Sequence, residues 1–201
     1  MTVRLAVIYY SATGNVHALA TALTEGAQAA GAEVRMRRAP ELAPDAAIDA
    51  NPAWRAHADA TKDLVPVAAL DDLEWANAFA FGSPTRFGNT AAQLKQFIDT
   101  AGALWQRGAL ADKPVTSFTS SANPHGGQES TILSMNNVFY HWGCIIVPPG
   151  YTDPLLYASG GNPYGTSWPS GDGELPDEAT LEAARYQGRR LVSFAARLVG
   201  A

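Results

Sequence analysis

The residues from Val3 to Tyr10 form a nearly continuous apolar run with β-branched and aromatic side chains, and the run offers no polar face to solvent. A strand of this kind must be covered on both sides, a condition met by parallel sheets flanked by helices. The next segment supplies a cover. Val16, Leu19, Ala20, Leu23, Ala27 and Ala30 fall on one stripe of an amphipathic helix, and Gly31 stands where its C-terminal cap belongs.

The alternation continues along the chain. Glu33 to Arg37 reads as a second strand, Ala76 to Gly82 as a third buried one, Pro114 to Ser120 as a fourth and Gly143 to Val147 as a fifth. Between them, Leu94, Phe97, Ile98, Ala101 and Trp105 repeat the helical spacing, Gln128 to Tyr140 reads as a helix, and a last helix starts at about Asp177 with Leu181, Ala184, Leu191, Ala195 and Leu198 facing inward. Strands joined by crossovers of this length predict an α/β fold, a five-stranded open parallel sheet with helices on both faces. At 201 residues one domain is expected, residues 1–201, with insertions at about 38–75 and 150–176. The first insertion is rich in Ala, Pro and Asp and predicts one short helix near Trp54. The second, Gly150 to Pro176, holds six glycines, four prolines, Tyr151, Tyr157, Tyr164 and Trp168. It far exceeds the usual connection of about 4–6 residues, and its rigid aromatics predict packing over a ligand or against another subunit.

Composition sharpens the second insertion and excludes several functions. Asp, Glu, Lys and Arg make up only 16% of the chain, against about 25% in an average soluble protein. From Ser130 to Gly171, 42 positions, Asp153 is the only such residue, so this stretch cannot be ordinary solvated surface throughout. It is broken by Asn136, Asn137, His141, Pro148 and Pro149 before reaching the roughly 20 apolar residues of a membrane span, so no membrane insertion is expected. The N-terminal segment has no basic start or cleavage-type site, which makes the cytoplasm the expected location. A net charge of -5 with dispersed Arg and Lys gives little basis for nucleic-acid binding. Cys144 is the single cysteine, which excludes an internal disulfide or multi-cysteine metal site and fits a small buried hydrophobe; no metal is expected.

In an open parallel sheet, ligands bind beyond the carboxyl ends of the strands. The segment after the first strand, Ser11-Ala12-Thr13-Gly14-Asn15-Val16, combines hydroxyls, a glycine and the N-terminus of a helix. That is the chemistry of a phosphate cradle without lysine, although capping of the helix by Ser11 or Asn15 would account for the same residues. It is neither a P-loop nor a dinucleotide fingerprint. After the third strand, Gly82-Ser83-Pro84-Thr85-Arg86-Phe87-Gly88-Asn89 offers a guanidinium beside an aromatic ring, suited to a flat heteroaromatic ligand. After the fourth, Thr119-Ser120-Ser121-Ala122-Asn123-Pro124-His125-Gly126-Gly127-Gln128-Glu129 is a polar, glycine-containing loop able to wrap a ligand's edge with backbone donors, or simply a turn that caps the next helix.

Tyr9-Tyr10-Ser11, Ser83 to Asn89, Gly126-Gly127-Gln128-Glu129, Pro163-Tyr164-Gly165 and Ala184-Arg185-Tyr186-Gln187-Gly188 occur in this order over nearly the whole chain. In this they resemble the tryptophan-repressor-binding-protein family, the WrbA-type NAD(P)H:quinone oxidoreductases. The resemblance implies a flavodoxin-like fold, non-covalent FMN, two-electron reduction of quinones by NADH or NADPH, and a homotetramer. By position it implies that Ser11, Ala12, Thr13, Gly14, Asn15 and Val16 hold the FMN phosphate. Thr85, Arg86 and Phe87 would line the isoalloxazine ring, flanked by Pro84, Gly88 and Asn89. Ser120, Ser121, Ala122, Asn123, Pro124, His125 and Gly126 would bind the rest of the ring edge and the ribityl chain. Trp105 and His141 correspond to the pocket where nicotinamide or quinone stacks. This chain departs from the best-known members at Thr13 and Asn15, where they carry Tyr and His, and at Asn123-Pro124-His125, which replaces a glycine-richer stretch.

One shared pocket for donor and acceptor predicts ping-pong kinetics, with Arg86 stabilising negative charge on the reduced ring and His141 donating a hydrogen bond or proton to the quinone oxygen. Two other readings remain open from the residues. One is a flavodoxin-type one-electron carrier, for which a net charge of -5 is modestly acidic; the other is a non-enzymatic scaffold on the same fold.

Overall fold

A computed structural model describes residues 1–199. Strand β1 (Arg4–Tyr9) pairs in parallel with β2 (Glu33–Arg38) on one edge and β3 (Ala78–Arg86) on the other. Strand β3 also pairs in parallel with β5 (Pro114–Ser121), and β4 (Asn89–Thr90) folds back antiparallel on the end of β3. The fifth position of the sheet is occupied in two pieces. β6 (Ile145–Ile146) pairs with Pro114 and Val115, and β7 (Ser167–Pro169) with Thr119, Ser120 and Ser121. Since Thr119 and Ser120 already face Ser83 and Pro84 on their other edge, both pieces lie on the same side of β5. The sheet order is therefore β2-β1-β3-β5 with β6 and β7 sharing the outer position.

The expected coverage on both faces is realised residue by residue. On β1, Ala6 and Ile8 enter one core while Leu5, Val7 and Tyr9 enter the other; on β3, Phe79 and Phe81 face the first and Ala78 and Ala80 the second. The first core is closed by α5 (Ala92–Asp99), α6 (Gly102–Gln106) and α7 (Gln128–Trp142) through Leu94, Phe97, Leu104, Met135 and Phe139. The second is closed by α1 (Asn15–Ala29) and α9 (Glu178–Val199) through Leu19, Leu23, Ala184, Leu191 and Val192.

Three expectations are corrected. The helix read across Leu94 to Trp105 is two helices, broken where the Thr100 hydroxyl donates to the Phe97 carbonyl and Gly102 follows. The insertion at 38–75 carries three helices instead of one: α2 (Asp45–Asp49), α3 (Pro52–Thr61) and α4 (Leu70–Trp75). They are too short to display a periodic stripe, yet α3 has a legible start, since Asn51 accepts from the Ala53 and Trp54 N–H groups and Pro52 follows it. The fifth strand stops at Ile146, ahead of Pro148 and Pro149, whose rings offer no N–H to a ladder. Its second half comes from Ser167 to Pro169, inside the segment read as a loop, after the chain has detoured through α8 (Leu155–Ala158).

Two buried amides hold the split strand in place. Gln187 donates to the Thr116 hydroxyl (2.7 Å) and the Ser117 carbonyl (2.8 Å) and accepts from the Thr166 N–H. Gln128 donates to Ser121 and accepts from Ser167. Helices α1 and α9 meet through glycines. A Cβ on Gly188 would lie 2.2 Å from the Leu23 carbonyl oxygen, and one on Gly26 would lie 2.0 Å from that of Arg185. Gly188→Ala should therefore push the two helices apart and lower stability by about 1–3 kcal/mol in urea unfolding, whereas Gly102→Ala, with open space around it, should be close to neutral.

Candidate functional site

All three polar loops open onto one cavity of about 350 Å³ beyond the carboxyl ends of β1, β3 and β5. Ser11, Ala12, Thr13, Asn15 and Val16 come from the first loop, Pro84, Thr85 and Arg86 from the second, and Ser120, Ser121 and Ala122 from the third. Asn51, Trp54 and Ser170 complete the lining. The volume is that of a small-molecule site.

The first loop is shaped to leave a helix end open. Gly14 is the N-cap of α1 with φ 102°, a left-handed conformation that favours glycine, and no side chain caps the helix. Ser11 instead accepts from the Gly14 N–H at 3.1 Å, tightening the loop itself. The N–H groups of the first turn thus keep their partial positive charge toward the cavity mouth. Asn15 is only 4% exposed, and its side-chain oxygen has no partner. A buried carbonyl oxygen left unpaired costs about 1–3 kcal/mol and calls for a donor, while the uncapped helix start beside it suits an anionic ligand. Helix capping by Ser11 or Asn15 is not what the structure contains.

The second loop is partly strand. β3 runs on through Arg86, and Phe87 and Gly88, with φ of 53° and 76°, make the two-residue turn into β4. The Thr85 hydroxyl donates to the Gly126 carbonyl and receives bonds from the Gly88 N–H and Thr131, so it fastens this hairpin to the third loop. Arg86 lines the cavity. Phe87 does not: its ring is 102% exposed at the hairpin tip, because the left-handed turn directs it to solvent. Gly88 and Asn89 also stand outside the cavity lining, as do Gly14, Asn123, Pro124, His125 and Gly126; the bonds within 121–126 bend that loop upon itself, with Ser121 donating to the Asn123 carbonyl.

Sequence reasoning missed the contribution of the first insertion. Trp54 reaches the cavity from α3 and donates its indole N–H to Glu41 at 3.1 Å. The same carboxylate accepts from Tyr10 (2.9 Å), Gln93 (2.8 Å) and the N–H groups of Leu42 and Ala43 (both 2.9 Å). Burial works to raise the Glu41 carboxyl, but these bonds outweigh it and hold it below its ordinary range. Glu41 so ties the insertion to β1 and α5. Ser170 was missed because it follows β7, the half-strand hidden in the presumed loop; its N–H donates to the Ser121 carbonyl at 2.8 Å.

Residues 3–152 match the family described as NADPH-dependent FMN reductase. An NAD(P)H dehydrogenase (quinone) of Deinococcus radiodurans is 46% identical over 198 residues, covering 98% of each chain. Another of the same description from Geotalea uraniireducens is 42% identical over 205 residues, covering 97% of this chain and 98% of its own. The chain belongs to the NADPH-dependent FMN reductase family. Among solved structures, a WrbA-like flavodoxin protein from Agrobacterium tumefaciens superposes with a TM-score of 0.67 at 23% identity, over 98% of this chain and 99% of that one. Flavodoxin 2 from Bacillus cereus superposes with a TM-score of 0.59 at 16% identity, over 98% of both. The flavodoxin-like fold and the WrbA-type resemblance read from the motifs both stand.

Within this family member, Trp105 and His141 lie apart from the cavity. They line a shallow depression with Ile98, Asp99, Gly102, Val138 and Trp142, where the Trp105 indole donates to the His141 carbonyl at 2.7 Å. His141 is in the last turn of α7, whose first residue, Gln128, bonds to Ser121 at the cavity rim. The thirteen intervening helical steps span about 20 Å, so a single chain does not bring these two residues to the three loops. Cys144 donates to the Leu110 carbonyl, and burial pushes its thiol up to about 12, which leaves it unreactive.

Because Glu41 is held below its unfolded value, it stabilises the folded chain above about pH 4.3, and that contribution disappears as the pH falls through the folded value. Glu41→Gln should lower stability at pH 7 by about 1–2 kcal/mol, and the difference from the parent protein should close toward pH 3 in urea titrations.

Proposed function

We propose that this chain is an FMN-dependent NAD(P)H:quinone oxidoreductase that passes two electrons from NADH or NADPH to quinones by a ping-pong mechanism, working as a cytoplasmic homotetramer. The uncapped N-terminus of α1 is the observation that carries the reading, because its free N–H groups suit the phosphate of a bound FMN in a cavity that also offers a guanidinium and an indole. The family and the descriptions of the relatives support the same chemistry.

FMN, when bound, supplies the ability to accept hydride and release two electrons. The chain's own residues position it and set the local charge. The first-turn N–H groups of α1 would hold the phosphate. Ser120, Ser121, Ala122 and Ser170 offer hydroxyl and backbone groups to the polar edge, while Trp54 excludes water from one side. Arg86 stabilises negative charge that develops next to it on reduction. Thr85 acts as a positioning residue, since its hydroxyl is already committed to Gly126, Gly88 and Thr131.

Trp105 and His141 serve the reaction only across a subunit boundary. In the tetramer they complete the substrate pocket of a neighbouring copy, where the indole walls the bound quinone and His141 donates a hydrogen bond to its oxygen. Trp105 is 52% exposed in the single chain, and Tyr140, Tyr151 and Tyr157 are exposed as well, within or near the stretch that carries almost no charge. Such a surface suits burial against another copy.

Initial rates with NADH or NADPH and benzoquinone should give parallel double-reciprocal lines. Arg86→Ala should lower turnover by about 100-fold while FMN still binds. Arg86→Ala and Trp105→Ala chains, each impaired alone, should recover part of the activity when co-assembled, because a mixed oligomer holds some sites with both residues. A monomer by sedimentation at micromolar concentration would sink the shared-site assignment. Stepwise one-electron reduction without transfer to benzoquinone would overturn the enzymatic reading in favour of an electron carrier.

A further inference from the structure

The cradle holds no lysine or arginine between Ser11 and Val16, yet two histidines stand beside it. His17, in the first turn of α1, shares a hydrogen bond with the Tyr9 hydroxyl. His57 reaches in from α3, with its ring centroid 5.4 Å from that of His17 and its Nδ1 3.6 Å from where a Cβ on Gly14 would lie. His57 is therefore packed against the uncapped helix start from behind the cavity lining, with His17 beside it on α1.

The permanent charges around His57 are already committed. Arg38, from β2, donates to the carbonyls of Val65 and Lys62. Arg55 is tied to Asp45 and Asp49 and approaches Asp59, which also meets Lys62. Glu41, after β2, is saturated by five donors, and Tyr9, from β1, faces His17. What remains able to change its charge is the pair of imidazoles. Burial lowers both, and His57 is brought down to about 4, with His17 as the second cause. In the empty site both rings are thus neutral at pH 7, which also spares the positive end of α1 a like charge.

We propose that His57, backed by His17, is the convertible counter-ion of this cradle: neutral while the site is empty, it takes up a proton when the phosphate of FMN enters, so that cofactor binding is linked to proton uptake. The inference rests on the reading of the cavity as an FMN site. A phosphate monoester carries about -1.5 to -2 charges at pH 7 and reverses the sign of the field that the helix end imposes on the two rings. By linkage, protonation then favours FMN retention, and FMN favours protonation.

The test follows the Cε1–H resonances of the four histidines against pH by NMR, in the empty protein, with FMN, and with riboflavin, which lacks the phosphate; His57→Asn gives the assignment. With FMN, the His57 midpoint should rise by about three pH units, from about 4 to near neutrality, and riboflavin should leave it in place. In parallel, the ratio of FMN dissociation constants, His57→Asn over parent, should grow by up to tenfold per pH unit on acidification below the new midpoint, with no such trend for riboflavin. The titration of the phosphate itself cancels in that ratio. Equal midpoints with FMN and riboflavin, or a ratio that stays flat with pH, would overturn the proposal. Failure of both flavins to bind at any pH would defeat the flavin-site reading, and this inference with it.

Discussion

Burial of the sheet on both faces is the constraint from which the rest of this molecule follows. Because β1 and β3 send alternate side chains into two separate cores, neither face of the sheet is free to bind anything. Polar chemistry is displaced to the carboxyl ends of the strands, where backbone groups lose their ladder partners and helix starts expose their N–H groups. The same constraint explains the buried amides. An outer strand interrupted by a detour would leave β5 with unpaired edge groups in a covered sheet, and Gln128 and Gln187 supply the bonds that bring Ser167 to Pro169 back into register.

What was legible in the sequence depended on length and periodicity. Val3 to Tyr10, the α1 stripe and the α9 stripe are long enough to show their period, and each falls within a residue or two of its observed element. The three loops were legible because a strand followed by a helix fixes where the connecting residues lie. That Phe87 stands outside the cavity lining of the single chain was not legible, because spacing says nothing about side-chain direction. A left-handed pair at Phe87 and Gly88 turns the ring outward, and only the backbone angles reveal it. Trp54 and Glu41 were hidden for a different reason: helices of five to ten residues carry too few positions to display a stripe, and their partners, Tyr10 and Gln93, are 31 and 52 positions from Glu41.

The charge-poor stretch from Ser130 to Gly171 separates into parts with different causes. The inner face of α7, through Ile132, Met135 and Phe139, needs no charges because the first core encloses it, while β6 and β7 are held by pairing with β5 and leave Ile145 exposed at the sheet edge. That account does not extend to Tyr151 and Tyr157, which stack on one another at 5.1 Å and remain exposed. At the far end of this segment Ser170 enters the cavity. An uncharged aromatic surface on the detour between β6 and β7 is the physical basis for the subunit contact proposed there.

A cradle built from helix N–H groups and neutral imidazoles behaves differently from one built with lysine. A fixed ammonium beside the start of α1 would repel the helix dipole whenever the anion is absent, which destabilises the empty site. Two buried histidines avoid that penalty, since desolvation keeps them neutral until a phosphate supplies the field that protonates one of them. The positive charge then exists only in the state that needs it. Placing one of the two rings on α3 has a further effect. The charge proposed to form on binding would face the phosphate held at α1, so the anion itself would bridge α1 and the insertion that also carries Trp54.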